Sequence, residues 1–342
     1  MLVELKRRLR ALIIDWLELH PEQAGRTPQN SEQVHLKVSE LQDRVDRLEH
    51  ALADRFGAGL DKRIAAASRE GIPRTDELQL RLFALQRLVV GSPSARPPGA
   101  REAVAKLGNP AVAVILPTYN RARFVGEAIA SVQAQSFPAW ELVIVDDGSS
   151  DETEHAVAPF LGDPRIRYIR QQNTGSSVAR NRGLDETSAP LVAYLDSDNT
   201  WYPDFLALAV DQLAVHTEVD FVYGALVTFL HNLPSACILW EPFDRARLEV
   251  GNFIDTNVLV HRRELVARYG GWDPNLSRLN DWDFALRCTV DKPAHALNAL
   301  AAYYRQVDDI RVSETIDAEK EQQIIRAKLS RAKTTDSIPV AS

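Results

Sequence analysis

The chain has 342 residues, 45% of them apolar and 25% charged, which suits one large domain or two modest ones around a substantial core. A net charge of -7 argues against general nucleic-acid binding, which needs a basic surface to displace counterions. The two cysteines, Cys237 and Cys288, stand far apart in no metal-ligand spacing, so neither a disulfide framework nor a zinc site is expected.

No run approaches the roughly 18 uninterrupted apolar residues of a membrane span. The longest candidate, Val112 to Leu116, ends at Pro117. The N-terminus has no small-residue cleavage site after an apolar core, so a cytoplasmic protein is the expectation. Residues Leu2 to Leu19 carry a helical stripe of Leu2, Leu5, Leu9, Leu12, Ile13 and Trp16, with Lys6, Arg7, Arg8 and Arg10 mostly off it. Such a stripe packs on protein or lies on an anionic membrane, which leaves peripheral contact at an inner membrane face as an option. Val34, Val38, Leu41, Val45, Leu48 and Leu52 then alternate in steps of four and three, a short coiled-coil seam. The seam fits a homodimer or a helix of the same chain. A further helix is predicted over Thr75 to Val90, with Thr75 as N-cap. The stretch from Gly91 to Gly99 reads as a Pro-rich linker. Residues 1–100 are thus expected to be a helical region, 108–315 the main α/β domain, and 316–342 a helix and tail.

From Ala111 the chain alternates strand-like and helix-like stretches. Strands are predicted over Ala111 to Leu116, Glu141 to Val145, Arg165 to Arg170 and Leu191 to Leu195. Helices are predicted from Phe124 to Gln135, from Ser149 by its capping-box spacing to Glu152, from Gly175, and near Trp201 behind Asp198 or Asn199. This alternation implies βαβ crossovers and a mostly parallel sheet flanked by helices. There is no G-x-G-x-x-G after the first strand and no G-x-x-x-x-G-K-[ST], so the common dinucleotide and P-loop readings lose support. Further strands are expected at Phe221 to Leu230, Cys237 to Trp240 and Val258 to His261 as a mixed extension of the sheet. A helix is expected from Asn280 through Arg287, and a charged helical tail from Glu314 to Lys333.

Acids follow the apolar runs at Asp146 and Asp147, at Asp196 and Asp198, at Asp255 and at Asp281. Ligands of open α/β sheets sit beyond the carboxyl ends of strands, so the first two pairs should face one cleft. The run Tyr194-Leu195-Asp196-Ser197-Asp198-Asn199 places two carboxylates one residue apart, which suits a hard ion such as Mg²⁺ or Mn²⁺. By itself the pattern fits a helix cap equally well.

Taken in order, the motifs resemble family 2 glycosyltransferases. Val114-Ile115-Leu116-Pro117-Thr118-Tyr119-Asn120-Arg121 resembles the opening strand of that family, and Val145-Asp146-Asp147-Gly148-Ser149-Ser150-Asp151 its second motif. Gln172-Asn173-Thr174-Gly175 with Ala179-Arg180-Asn181-Arg182-Gly183 resembles the third. Asp196-Ser197-Asp198 is similar to its metal-binding D-x-D, and Asn280-Asp281-Trp282-Asp283 to the region of its base. The resemblance covers Ala111 to Ser313. It implies a GT-A fold and metal-dependent, inverting transfer of a sugar from a nucleotide diphosphate, UDP first, to a hydroxyl of a saccharide or lipid-linked acceptor.

By that resemblance Asp281 is the base, with Asp283 as runner-up. Asp198 is the metal ligand with Asp196 in support. Pro117, Tyr119, Asp146, Asp147, Arg180 and Asp196 line the donor site, Asp146 to position the ribose or hold the loop, and Arg180 to approach the nucleotide, brace Asp196 or form a structural ion pair in the cleft wall. Many relatives carry Glu where Asn280 stands, and a histidine where Gln306-Val307-Asp308-Asp309 follows Tyr304-Arg305. Two other readings stand beside it. A sugar-phosphate nucleotidyltransferase would call for a Gly-rich first loop, which Leu116-Pro117-Thr118-Tyr119 lacks. A non-catalytic coiled-coil interaction protein would have no need of Asp147, Asp196, Asp198 and Asp281 together.

Overall fold

A computed structural model of the chain describes residues 97–229, 236–305 and 318–335. The basic stripe, the heptad seam, the helix expected over Thr75 to Val90, Gln306 to Asp309 and the end of the tail lie outside the described residues.

The first half runs α1 (Ala100–Ala105), β1 (Val112–Thr118), α2 (Val125–Gln133), β2 (Trp140–Asp146), α3 (Thr153–Val157), β3 (Ile166–Arg170), α4 (Ser176–Asp185) and β4 (Leu191–Tyr194). β1 pairs in parallel with both β2 and β4, and β2 with β3. β1 and β4 are buried at every position, as strands covered on both faces must be. β3, at the edge, mixes buried and exposed residues. α2 lays Val125, Ala128, Ile129 and Val132 on the sheet, the spacing of one helix face. α4 approaches β1 closely through Gly183, where an added Cβ would lie 2.5 Å from Ile115 Cγ2.

The second half runs β5 (Thr200–Trp201), α5 (Phe205–Val215), β6 (Phe221–Phe229), β7 (Ala236–Leu239), α6 (Arg245–Val250), a 3₁₀ turn (Thr256–Val258), β8 (Leu259–Arg262), α7 (Glu264–Tyr269), α8 (Asn280–Cys288), β9 (His295–Tyr304) and α9 (Ala318–Thr335). Strand order is β3-β2-β1-β4-β8-β6-β9-β5, with β7 beside β6. β8 is antiparallel to β4, and β6 is antiparallel to β8 and β7 but parallel to β9. The sheet is therefore mixed: parallel through β3-β2-β1-β4, and in the extension antiparallel except between β6 and β9. β9 alternates between buried and partly exposed positions, the pattern of a strand covered on one face.

Two helix starts differ from expectation. α3 begins at Thr153, and Asp151 Oδ1 accepts its N–H at 3.1 Å. Ser149 is drawn away because its Oγ accepts the N–H of Asn120 at 2.9 Å. α5 begins at Phe205, and Trp201 belongs to β5. Asn199 cannot cap there: its Oδ1 accepts the N–H of Arg305 at 3.0 Å.

The halves join through an aromatic core. Trp272 stacks on Phe284 with centroids 4.6 Å apart, and Tyr194 meets Trp272 edge-on at 4.8 Å. Tyr194 Oη lies 3.0 Å from His261 Nε2, and burial pushes the His261 imidazole down to about 4, so the pair is neutral. Trp282 is buried as well and donates Nε1 to Leu248 O at 2.6 Å. Trp272 and Trp282 are therefore core residues. Truncating either costs about 3–5 kcal/mol.

Candidate active site

The site lies at the carboxyl ends of β1, β2 and β4. The loops there are tied together before any ligand is considered. Asn120, with φ 50°, follows β1 and accepts the N–H of Ser150 on its Oδ1 at 2.8 Å. Asp147 follows β2, and its carboxylate accepts from Gln171 Nε2 at 2.8 Å, Thr174 N at 3.0 Å and Gly175 N at 2.7 Å. Gly148 (φ 82°) completes this turn, and a Cβ there would sit 3.0 Å from Asn173 N. Asp147 thus secures the loop into α4. Asp146 is fully buried: Oδ1 accepts the N–H of Ser149 at 2.7 Å, and Oδ2 accepts the Tyr168 hydroxyl. It braces the loop from beneath rather than facing the cleft. Pro117 is buried in β1 opposite Val145, and Tyr119 is 45% exposed at the rim.

After β4 come the paired acids. Asp196 Oδ1 accepts Arg180 Nη2 at 2.6 Å, its Oδ2 accepts Asn257 Nδ2 at 3.2 Å, and its N–H donates to Asn257 Oδ1 at 2.7 Å. Asp198 Oδ2 accepts Arg121 Nε at 3.2 Å. Burial, reinforced by the charge of Asp196, holds the Asp198 carboxyl above its ordinary value, and Arg121 only partly offsets this. Two carboxylates one residue apart, of which Asp198 is only partly compensated by Arg121, fit a hard divalent cation. Among the described residues no group of three His, Cys, Asp or Glu side chains converges as a metal shell. A cation held here would complete its coordination with water and donor phosphate oxygens, the habit of Mg²⁺-type ions. Two buried donors beside the acids, Arg180 Nε and Asn199 Nδ2, have no hydrogen-bond partner.

Arg180 links this loop to the second half. It is 5% exposed and lies over the Trp272 ring at 4.7 Å. Two further carboxylates share its field. Asp255 Oδ1 accepts the backbone N–H of Asn257 at 2.8 Å and its Nδ2 at 2.7 Å. Burial pushes the Asp255 carboxyl up to about 6, with the Asp196 charge adding to it. Asp281, in the first turn of α8, accepts the N–H of Trp282 at 2.8 Å. Burial and the charge of Asp255 push it up to about 7, against the pull of Arg180. Such a carboxyl changes charge near neutral pH, which suits a proton acceptor.

Asp283 is 2% exposed and paired with Arg287 at 2.8 Å and Lys328 at 2.8 Å, so it serves the helix. Asn280 is buried and donates Nδ2 to Ser177 Oγ at 3.0 Å, away from the acids. The structure thus brings Asp196, Asp198, Arg180 and Asp281 within one another's electrostatic reach and ties Asp146 to Ser149 and Tyr168. Sequence reading marked Asp255 as an acid after an apolar run but gave it no task, and it gave no role to Arg121 or Asn257. The D-x-N spacing of Asp255 and Asn257 is a turn signal that could have drawn attention to them.

The model of the family described as glycosyl transferase family 2 matches residues 113–236. The chain is 32% identical over 184 residues to a PGL/p-HBAD biosynthesis glycosyltransferase of Mycobacterium tuberculosis, covering 52% of this chain and 70% of that protein. It is 37% identical over 113 residues to an uncharacterized glycosyltransferase of Rickettsia felis, 33% of this chain but only 18% of that longer relative. TarS 1–349 of S. aureus, in complex with UDP-GlcNAc, superposes with a TM-score of 0.55 at 19% identity, over 63% of this chain and 64% of its own. The mannosyltransferase PcManGT of Pyrobaculum calidifontis, in complex with GDP-Man and Mn²⁺, gives 0.50 at 20% identity, over 85% of this chain and 76% of its own. These two likenesses show the GT-A fold. With the curated relative matched over most of its length, the chain belongs to glycosyl transferase family 2.

Proposed function

We propose that the protein transfers a sugar from a nucleotide diphosphate donor to an acceptor hydroxyl with inversion, in glycoconjugate or polysaccharide assembly. The observation that carries the reading is the gathering of Asp196, Asp255 and Asp281 in the field of Arg180, with Asp198 beside Asp196 and paired with Arg121. The nucleotide sits against Pro117, Tyr119 and the Asp147 loop. Asp147 accepts the imide N–H of the base by exchanging one of its loop donors. UDP is the first nucleotide to try. One relative is named for PGL/p-HBAD biosynthesis, which supports a biosynthetic transfer, and saccharide and lipid-linked acceptors are the first to test.

Asp198 and Asp196 would hold the divalent ion, which supplies Lewis-acid stabilisation of the departing diphosphate, worth several kcal/mol. Arg121 and Arg180 hold these carboxylates apart and in place. Asp281 takes the proton of the acceptor hydroxyl as it attacks opposite the leaving group, a contribution of about 10²–10⁴-fold. Among the described residues no helix is long and apolar enough to cross a membrane. A peripheral membrane contact or a dimer through the N-terminal seam belongs to this proposal only as an expectation from the sequence.

The test is a thermal-shift and turnover screen of UDP-glucose, UDP-GlcNAc, UDP-galactose and GDP-mannose with and without Mn²⁺. One donor should raise Tm and release its nucleoside diphosphate only with the metal. A chain that binds none and hydrolyses none contradicts the proposal.

A further inference from the structure

Two side chains of α9, Glu321 and Lys328, reach the segment that carries Asp281. Glu321 is 5% exposed. Its Oε1 accepts the N–H of Ser277 at 2.8 Å, and its Oε2 accepts those of Arg278 at 3.0 Å and Leu279 at 2.9 Å. These three consecutive amides immediately precede α8. Lys328, two turns further along α9, donates Nζ to Asp283 Oδ1 at 2.8 Å and also pairs with Asp273. Between them, on the same face, Ile325 is 1% exposed and joins the main core. One helix face therefore presents an anion, an apolar anchor and a cation in sequence. The anion grips the chain two residues before Asp281 and the cation grips it two residues after.

α4 holds the same segment through different groups. Ser177 Oγ accepts Asn280 Nδ2 at 3.0 Å and donates to Leu276 O at 3.1 Å. Asn181 exchanges two hydrogen bonds with the backbone of Trp272, each 2.8 Å long. Asp281 is thus suspended between α4, which also carries Arg180, and α9. A carboxylate that must meet an acceptor hydroxyl needs this support, because a shift of about 1 Å in a reacting group can cost about 10²-fold in rate.

We propose that α9 is a clamp for the proton-accepting carboxylate: Glu321 and Lys328 are positioning residues that set where Asp281 stands in the cleft. The inference rests on the reading of Asp281 as the base. Neither residue touches the donor loops, so their loss should act on turnover and leave donor affinity alone.

The experiment measures kcat and KM for whichever of UDP-glucose, UDP-GlcNAc, UDP-galactose and GDP-mannose the wild type hydrolyses fastest with Mn²⁺. The variants are Glu321→Ala, Lys328→Met, Lys328→Arg and Asp281→Asn, each at a temperature well below its own Tm. Lys328→Met is expected to fold even where Glu321→Ala does not, because the lysine side chain is 37% exposed. Glu321→Ala and Lys328→Met should each lower kcat by about tenfold or more with KM within about twofold. Lys328→Arg, which keeps the charge and can fork between Asp273 and Asp283, should recover most of the loss. Wild-type kcat in Lys328→Met beside an inactive Asp281→Asn overturns the clamp and leaves the base assignment standing. Undiminished turnover in Asp281→Asn, or no turnover by the wild type on any donor, overturns the base assignment and the clamp with it.

Discussion

The carboxylates of the two halves are treated in opposite ways. In the parallel half, Asp147 accepts from a side-chain amide and two backbone amides, and Asp146 accepts a backbone amide and a phenol. Their charge is spent on holding loops. In the mixed half, Asp281 accepts the N–H of its own neighbour, and both bonds to Asp255 come from Asn257. Burial pushes both carboxyls up, Asp281 to about 7, where the charge of Asp255 adds, and Asp255 to about 6, where the charge of Asp196 adds. Acids that end interior parallel strands can be satisfied by the loops that follow them. Acids delivered by a helix and a turn lack such loops, and burial with the charge of neighbouring carboxylates makes them more basic. The fold thus builds a rigid floor of satisfied carboxylates on one side and a titratable wall on the other, with Asp196 and Asp198 at the seam.

The comparison can be broken at several points. Asp198→Ala removes the seam ligand. Turnover with Mn²⁺ should fall by about 10²-fold or more, and the metal-dependent rise in Tm should vanish. Unaltered metal dependence would move the ion elsewhere. The titratable wall predicts an acidic limb in kcat/KM. Asp281 works deprotonated, so the rate should drop about tenfold per pH unit below about 7, and a flat profile from pH 5 to 8 would remove the role. The rigid floor predicts a stability effect. Asp147→Asn loses charge-assisted bonds from the Gln171–Gly175 loop and should lower unfolding free energy by about 2 kcal/mol in urea titrations. A smaller effect is expected at the wall, with the opposite sign. Asp281 has a folded value near 7 against 3.8 when unfolded, so its contribution favours the fold below pH about 4 and is lost as pH rises through 7. Asp281→Asn should therefore be more stable than wild type at pH 8, by about 1–2 kcal/mol, and the gain should disappear near pH 4.

Local patterns made the first half legible. Short apolar runs ending on acids mark β1, β2 and β4, because interior parallel strands are apolar throughout and their carboxyl ends carry the polar work. The second half was harder to read because its partners are distant. β6 takes β8 and β9 as neighbours from stretches separated by other elements, which hydrophobic periodicity does not encode. The same distance hid Asn257, whose side chain connects Asp196 to Asp255 across 61 residues of sequence. It also hid Glu321, which caps a segment 42 to 44 residues before it. Ser149 shows the converse failure. Its spacing to Glu152 is that of a capping box, yet the loop after β1 claims its hydroxyl. Asp281 was found through resemblance; what the structure adds is the burial beside Asp255 that gives it a reason to accept a proton.

The central claim is that this cleft binds donor with one set of residues and activates the acceptor with another. The most direct measurement pairs calorimetric binding of the best donor in the presence of Mn²⁺ with initial-rate turnover, for wild type and Asp281→Asn. The account predicts donor affinity within about twofold and turnover reduced by about 10²–10⁴-fold. Turnover that survives the substitution, or a loss of turnover explained wholly by lost donor binding, would contradict it.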